Sequence, residues 1–176
     1  MKGMVLIMVF IKAFILLLIF LASLHGGKII AKKYSNRVSE LKEMKNALNM
    51  FENKIKFTYE DIPTVFKDIS KTIKGNIGKV FENASNKMIN KNAGEAWEEA
   101  LNVTFTALKQ EDIEIIKGLG RMLGKTDING QISEIELVNE FLETQIKEAE
   151  YEKNKNYKMY KTLGIVVGIA IVIILI

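Results

Sequence analysis

The sequence predicts an all-α protein, about a six-helix bundle with long first and last helices continuing into N- and C-terminal membrane anchors. Three features of the 176-residue chain support this fold. Apolar residues recur at intervals of three and four along the central segment, which is the period of an amphipathic helix. Both ends of the chain are apolar, and the only proline is Pro63. Long uninterrupted helices are therefore permitted.

The two apolar ends divide the chain into three regions. We expect an N-terminal membrane anchor at 1–27, a helical cytoplasmic domain at 28–161 and a C-terminal membrane anchor at 162–176. The first anchor is interrupted only by Lys12. The apolar part of the second measures about 21 Å as a helix, against about 30 Å for the hydrocarbon core of a bilayer. Flanking residues or local thinning of the bilayer must therefore complete this span.

Lys12 leaves more than one interpretation of the first anchor open. A lysine in the middle of a span costs about 2.5–3.5 kcal/mol, which the many large apolar residues around it outweigh. Translation from Met8 would instead make Lys12 a flanking charge, and a cleaved signal peptide is the third interpretation. The segment LASLHGG offers only a poor cleavage site, so we favour a retained anchor.

Basic residues beside the anchors predict the orientation. They follow the first anchor and precede the second: Lys28, Lys32, Lys33, Arg37, Lys153, Lys155, Lys158 and Lys161. Positively charged flanks stay in the cytoplasm. The central domain is therefore predicted to be cytoplasmic, with both chain ends across the membrane.

The first three helices follow from the spacing of apolar residues. The first continues from the N-terminal anchor with one apolar stripe: Leu41, Met44, Leu48, Phe51 and Ile55. The second begins near Asp61, with Pro63 in its first turn, and is interrupted by Gly75 and Gly78. The third is short and contains Val80, Phe81, Ala84 and Met88.

The fourth helix has a capping residue at its start, and the fifth helix contains glycines. Asn92 is placed to cap the fourth helix, and Glu95 lies three residues on, in capping-box spacing. The fifth contains Gly118 and Gly120. Because glycine destabilises a helix interior, the two glycines indicate that another helix approaches closely there.

Residues 118–131 read GLGRMLGKTDINGQ, which has the composition of a phosphate-binding loop. Such a loop needs four residues between its glycine and Gly-Lys-Thr, whereas Gly118 leaves five and Gly120 leaves three. We interpret the segment as a helix boundary. Gly124 ends the fifth helix in a left-handed conformation, and Asp127 caps a long sixth helix that runs into the C-terminal anchor.

Residue types suited to catalysis or metal binding are scarce. The chain has no cysteine, and its one histidine, His25, lies at the inner edge of the first apolar run. Two carboxylate clusters lie near helix starts, where the helix dipole accounts for them: Glu95, Glu98, Glu99, Glu111, Asp112 and Glu114. We predict that the protein is not an enzyme and has no cofactor and no metal site.

Charge is distributed unevenly along the chain. From Lys28 to Lys91 there are 14 basic and 7 acidic residues, and from Glu95 to Glu152 there are 5 basic and 14 acidic. So acidic a second half argues against a nucleic-acid-binding protein. We expect the two halves to pack beside each other; head-to-tail contact between copies in a homo-oligomer is the alternative.

Small residues recur four positions apart in both anchors. The pairs are Ala22 and Gly26, Ser23 and Gly27, and Gly164 and Gly168. This spacing lets helix backbones approach closely in a membrane. Since both sets lie at the domain-proximal end of their spans, packing of the two anchors within one chain is one interpretation. Homotypic association and chance are the others.

Three segments, in this order between two apolar ends, resemble the stage III sporulation protein AB family: GEAWEEAL (94–101), TALKQEDIEII (106–116) and LGKTDINGQ (123–131). The segment FTYEDIPTVFKDIS (57–70) resembles it more loosely. The resemblance covers nearly the whole chain. It departs at the N-terminus, which is longer than is usual in the family and supports a start at Met8.

The resemblance implies a membrane protein of endospore-forming bacteria, within a mother-cell complex at the membrane around the forespore. It also implies similarity to the helical cytoplasmic domains of type II secretion and type IV pilus platform proteins, with a secretion-type ATPase as partner. On this basis we expect a helical platform that links the ATPase to membrane components. A tail-anchored sensor or adaptor, and a membrane-bound enzyme that uses the carboxylate clusters, are the alternatives.

The proposed helix boundary at 118–131 is testable by substitution. Asp127→Ala should lower the free energy of unfolding by about 1 kcal/mol, because a helix cap is lost. Lys125→Ala is the matched control and should be nearly neutral. Denaturant unfolding measures both; a loss of nucleotide binding in the Lys125→Ala protein would instead show a phosphate-binding loop.

Overall fold

The structure is a computed structural model that describes residues 2–58, 60–104 and 106–175. Its α-helices are α1 Lys2–Phe57, α2 Ile62–Thr72, α3 Gly75–Lys87, α4 Ala93–Val103, α5 Gln110–Lys117 and α6 Ile128–Leu175. A 3-10 helix, Gly118–Arg121, follows α5. No strand is present among the described residues, and the predicted all-α fold with long first and last helices is confirmed.

Packing divides the chain into two compact units. The hairpin unit comprises Met1–Ser35 with Tyr151–Ile176, and the domain unit comprises Asn36–Glu150. The domain unit is shorter than the predicted cytoplasmic domain of 28–161, because α1 and α6 pack on each other beyond their apolar runs. The limits of the membrane anchors remain a prediction.

Four aromatic side chains form the centre of the domain unit. The ring of Phe66 lies 5.1 Å from that of Phe51, 4.9 Å from that of Phe81 and 5.4 Å from that of Trp97, centroid to centroid. All four are fully buried. Edge-to-face pairs contribute about 0.5–1.5 kcal/mol each beyond the burial of their area. Since they belong to α1, α2, α3 and α4, these rings join four helices.

Trp97 also makes a polar contact in this core. Its indole Nε1 donates a hydrogen bond to the backbone oxygen of Ile116 at 2.9 Å. A buried indole N–H without a partner would be costly. This bond therefore sets α5 against α4.

The prediction that Gly118 and Gly120 lie inside the fifth helix is wrong, because α5 ends at Lys117 and both glycines belong to the 3-10 helix. The close approach that they indicated is present at one of them. A Cβ on Gly94 of α4 would lie 2.3 Å from the backbone oxygen of Gly120. A Cβ on Gly118 would have only an ordinary contact, with Glu134 Oε1 at 3.6 Å. The backbones of α4 and the 3-10 helix therefore meet at Gly94 and Gly120.

Opposite charges from the two halves of the chain meet in the domain unit. Lys45 pairs with Glu143 at 3.1 Å, and Lys87 pairs with Glu99 at 2.9 Å. Exposed pairs of this kind contribute about 0–1 kcal/mol each. They show that the uneven charge is partly compensated within one chain, as expected.

Candidate functional site

Direct contact between the backbones of α1 and α6 holds the hairpin unit together. A Cβ on Gly27 would lie 2.8 Å from the oxygen of Tyr160 and 3.0 Å from Cα of Gly164. Ser23 Oγ donates a hydrogen bond to the oxygen of Gly164 at 2.7 Å. A side chain at either glycine would therefore separate the helices at this point.

The six small residues of the anchors divide into two groups. Gly168 lies against Phe20, since an added Cβ would be 2.8 Å from its ring. Ala22 is exposed, and a Cβ on Gly26 would have no neighbour within 4 Å. The contact thus uses Ser23, Gly27, Gly164 and Gly168, whereas Ala22 and Gly26 face away. Neighbouring positions on a helix are about 100° apart around its axis. Because Ser23 and Gly27 face α6, Ala22 and Gly26, one position earlier, do not. Packing within a membrane remains a prediction.

Of the four residues predicted as helix caps, Asn92 and Asp127 cap the starts of α4 and α6. Asn92 Oδ1 accepts a hydrogen bond from the backbone N–H of Glu95, and Asp127 Oδ1 accepts one from that of Gly130, both at 2.9 Å. Gly124 has a φ of +69°, in the left-handed region. It does not end α5 as predicted, because α5 ends at Lys117 and Gly124 lies in the turn between the 3-10 helix and α6. Glu95 lies in the first turn of α4.

A buried ion pair in the domain unit was missed by the sequence analysis. Arg37 donates from Nε to Asp112 Oδ2 and from Nη2 to Asp112 Oδ1, both at 2.8 Å. The two residues are 3% and 0% exposed. From their positions in the sequence, Arg37 was predicted to be a charge flanking the membrane and Asp112 a carboxylate at a helix start.

Further polar groups surround this pair. Asp112 Oδ2 also accepts from the backbone N–H of Lys109 at 2.8 Å, which caps α5. Arg37 Nη2 also donates to Gln145 Oε1 at 2.9 Å, and Glu148 Oε1 lies 3.9 Å from its Nη1. One guanidinium therefore joins α1, α5 and α6.

Comparison with known proteins assigns the family. The family model described as stage III sporulation protein AB matches residues 12–176. The chain belongs to the stage III sporulation protein AB family. The resemblance found in the sequence is thereby confirmed.

Two relatives support this membership along most of the chain. The stage III sporulation protein AB of Bacillus subtilis (strain 168) is 28% identical over 161 residues, which are 89% of this chain and 94% of the relative. A solved structure of a stage III sporulation protein AB matches with a TM-score of 0.63 and 25% identity. That match covers 68% of this chain and 98% of the solved one.

In this family member a second buried carboxylate, Glu40, holds the segment between α4 and α5. It is 7% exposed. Its oxygens accept from Asn76 Nδ2 at 2.7 Å and from the backbone N–H of Ala107 at 2.5 Å. The carboxylate thus connects α1 to the start of α3 and to the segment before α5.

Three of the six carboxylates in the predicted clusters, Glu99, Asp112 and Glu114, have basic partners. Glu99 accepts from Lys91 and Lys87, and these hydrogen bonds lower the pKa of its carboxyl group. Lys117 lies 2.9 Å from Glu114 and lowers the pKa of that carboxyl group too. A general acid at neutral pH needs a raised pKa. Among the described residues no group of three or more His, Asp or Glu side chains is placed to hold a metal ion.

The contact between the helices of the hairpin unit predicts unequal effects for two neighbouring glycines. Gly27→Leu should disfavour helix pairing by about 1–3 kcal/mol or more, because the new side chain meets the backbone of α6. Gly26→Leu is the matched control and should leave pairing unchanged.

Cysteines at Tyr34 and Tyr160 would report the pairing, because their rings stack 5.8 Å apart and the chain has no other cysteine. Intrachain crosslinking in vesicles should persist with Gly26→Leu and fall with Gly27→Leu. Equal crosslinking in both variants, or crosslinks only between chains, would contradict pairing within one chain.

The buried ion pair predicts a large loss of stability when one partner is removed. Arg37→Met should cost about 3–5 kcal/mol, because Asp112 is left charged and buried. The double variant Arg37→Met/Asp112→Leu should recover much of this loss. Urea unfolding of both variants and of the unchanged protein measures these differences.

A surface pair supplies the control for this experiment. Lys42 lies 2.6 Å from Glu150, but the side chains are 53% and 45% exposed. Lys42→Met should therefore cost no more than about 1 kcal/mol. Equal losses from Arg37→Met and Lys42→Met would show that the buried pair has no special role.

Proposed function

We propose that this protein is a non-enzymatic, membrane-anchored platform of a sporulation complex. Its two anchors hold a helical domain on the mother-cell side of the cell membrane or outer forespore membrane. The domain binds a secretion-type ATPase and links it to membrane components of the complex. Membership of the stage III sporulation protein AB family supports a role in sporulation.

One observation carries the proposal. Helices α1 and α6 both contain segments long and apolar enough to cross a membrane, by length and composition. The same two helices supply core residues of the domain unit, among them Leu41, Phe51, Ile135 and Leu142. The anchors and the domain are thus built on common helices. Helices shared by the anchors and the domain suit a platform protein that holds other components of the complex at the membrane.

The polar groups of the domain unit also favour a platform over an enzyme. Asp112, Glu99 and Glu114, which belong to the predicted carboxylate clusters, are each bound by a basic side chain. An acid–base pair would need one carboxyl group free to hold a proton at neutral pH. A sensor or adaptor is the second candidate, because α6 continues without a break from Ile128 to Leu175. Such a helix would transmit a displacement along its length.

Binding of the ATPase tests the proposed role. The full-length protein, reconstituted in lipid nanodiscs, should retain a secretion-type ATPase of the same organism and should hydrolyse no nucleotide alone. Nanodiscs without the protein are the control. If the protein did not bind the ATPase, the platform role would be rejected and the role of a sensor or adaptor would remain. Turnover of nucleotide, or turnover that depends on a metal, would favour the enzyme.

A further inference from the structure

We propose that six lysines of the hairpin unit form a binding site for the headgroup phosphates of anionic phospholipids. This lysine collar consists of Lys28, Lys32 and Lys33 on α1 and Lys155, Lys158 and Lys161 on α6. The proposal rests on the membrane insertion put forward under the proposed function. It adds the class of lipid that the protein prefers.

The antiparallel contact of α1 and α6 brings the two groups of lysines to one level. A Cβ on Gly27 would lie 3.0 Å from Cα of Gly164, and the rings of Tyr34 and Tyr160 stack at 5.8 Å. Lysines 28–33 lie between Gly27 and Tyr34 on α1, and lysines 155–161 lie around Tyr160 and just before Gly164 on α6. Each group covers about 8–9 Å along its helix. That length is close to the about 5–7 Å of the polar layer on each side of a bilayer.

The charges of the collar lack partners within the protein. All six lysines are exposed, and within the described residues none of them forms an ion pair or a hydrogen bond. Residues 28–33 and 155–161 contain no aspartate or glutamate. In the domain unit, by contrast, Lys45, Lys54 and Lys87 are each paired with a carboxylate. Six like charges in one place attract anions strongly.

The surroundings of the collar favour a lipid over a dissolved anion. Stacked tyrosines lie within it, and Tyr157 is 39% exposed. Tyrosine is enriched at the level of lipid headgroups, because its ring is apolar and its hydroxyl is polar. Four to eight basic residues beside a membrane helix are typical of sites for anionic lipids.

The test compares two lipids around the full-length protein. The protein is reconstituted in phosphatidylcholine vesicles that contain spin-labelled phosphatidylglycerol or spin-labelled phosphatidylcholine. Electron spin resonance then measures the immobilised fraction of each. We expect more phosphatidylglycerol than phosphatidylcholine to be immobilised, and the excess to shrink as sodium chloride is added.

Substitutions assign the preference to the collar. The variant Lys28→Gln/Lys32→Gln/Lys158→Gln should lower the preference by about two-fold or more. The matched control is Lys67→Gln/Lys74→Gln/Lys79→Gln, which removes three charges from exposed lysines of the domain unit. The control should keep the preference of the unchanged protein.

Several results would overturn the proposal. Equal immobilisation of both lipids would show that the lysines only orient the chain during insertion, and an equal loss in the control would show a general effect of charge. A stronger effect of sodium phosphate than of sodium chloride at equal ionic strength would show a site for free phosphate. If alkaline carbonate extracted the protein from vesicles, the membrane anchoring of the proposed function would fail as well. Stable insertion without lipid preference would reject the collar alone.

Discussion

The antiparallel pairing of the first and last helices is the constraint on which the rest of this fold depends. In the domain unit, Asn139 of α6 donates a hydrogen bond to Asn49 of α1, and Lys45 of α1 forms an ion pair with Glu143 of α6. The intervening helices α2 to α5 have 11, 13, 11 and 8 residues. Helices of this length are marginal in water by themselves. They persist because their apolar sides are buried against each other and against the long helices.

We expect polar groups in the interior to determine which arrangement of these helices is adopted. Two helices that meet through apolar stripes can shift along each other by one turn, because apolar side chains again meet apolar side chains. The bidentate contact of Arg37 with Asp112 has one geometry, and any shift would leave two buried charges unpaired. We expect the pair to contribute more to a unique arrangement of α1, α5 and α6 than to net stability.

The two units differ in how they use positive charge. In the domain unit, Lys42, Lys45 and Lys87 lie beside carboxylates of the acidic second half of the chain. In the hairpin unit, the lysines of the collar face solvent. In the proposed platform, lysines of the domain unit would pair with carboxylates, and lysines of the hairpin unit would attract the opposite charge of lipid phosphates. The same residue type would then have a different partner in each unit.

The sequence by itself determined the helical class, the capped starts of α4 and α6, the two apolar segments and the family. These depend on local properties, namely apolar period, side-chain caps such as Asn92 and Asp127, hydropathy and short segments. Only the tertiary structure decided which small residues meet. Ser23 and Gly27 point to α6, whereas the equally spaced Ala22 and Gly26 do not.

Contacts between residues far apart in the sequence could not be predicted from the sequence either. Arg37 and Asp112 are separated by 75 positions, and Gly94 meets Gly120 only because α4 and the 3-10 helix cross there. Each residue has the local character of a surface charge or a helix-breaking glycine. Its role comes from a partner that packing supplies, and packing is a property of the whole chain rather than of a local pattern.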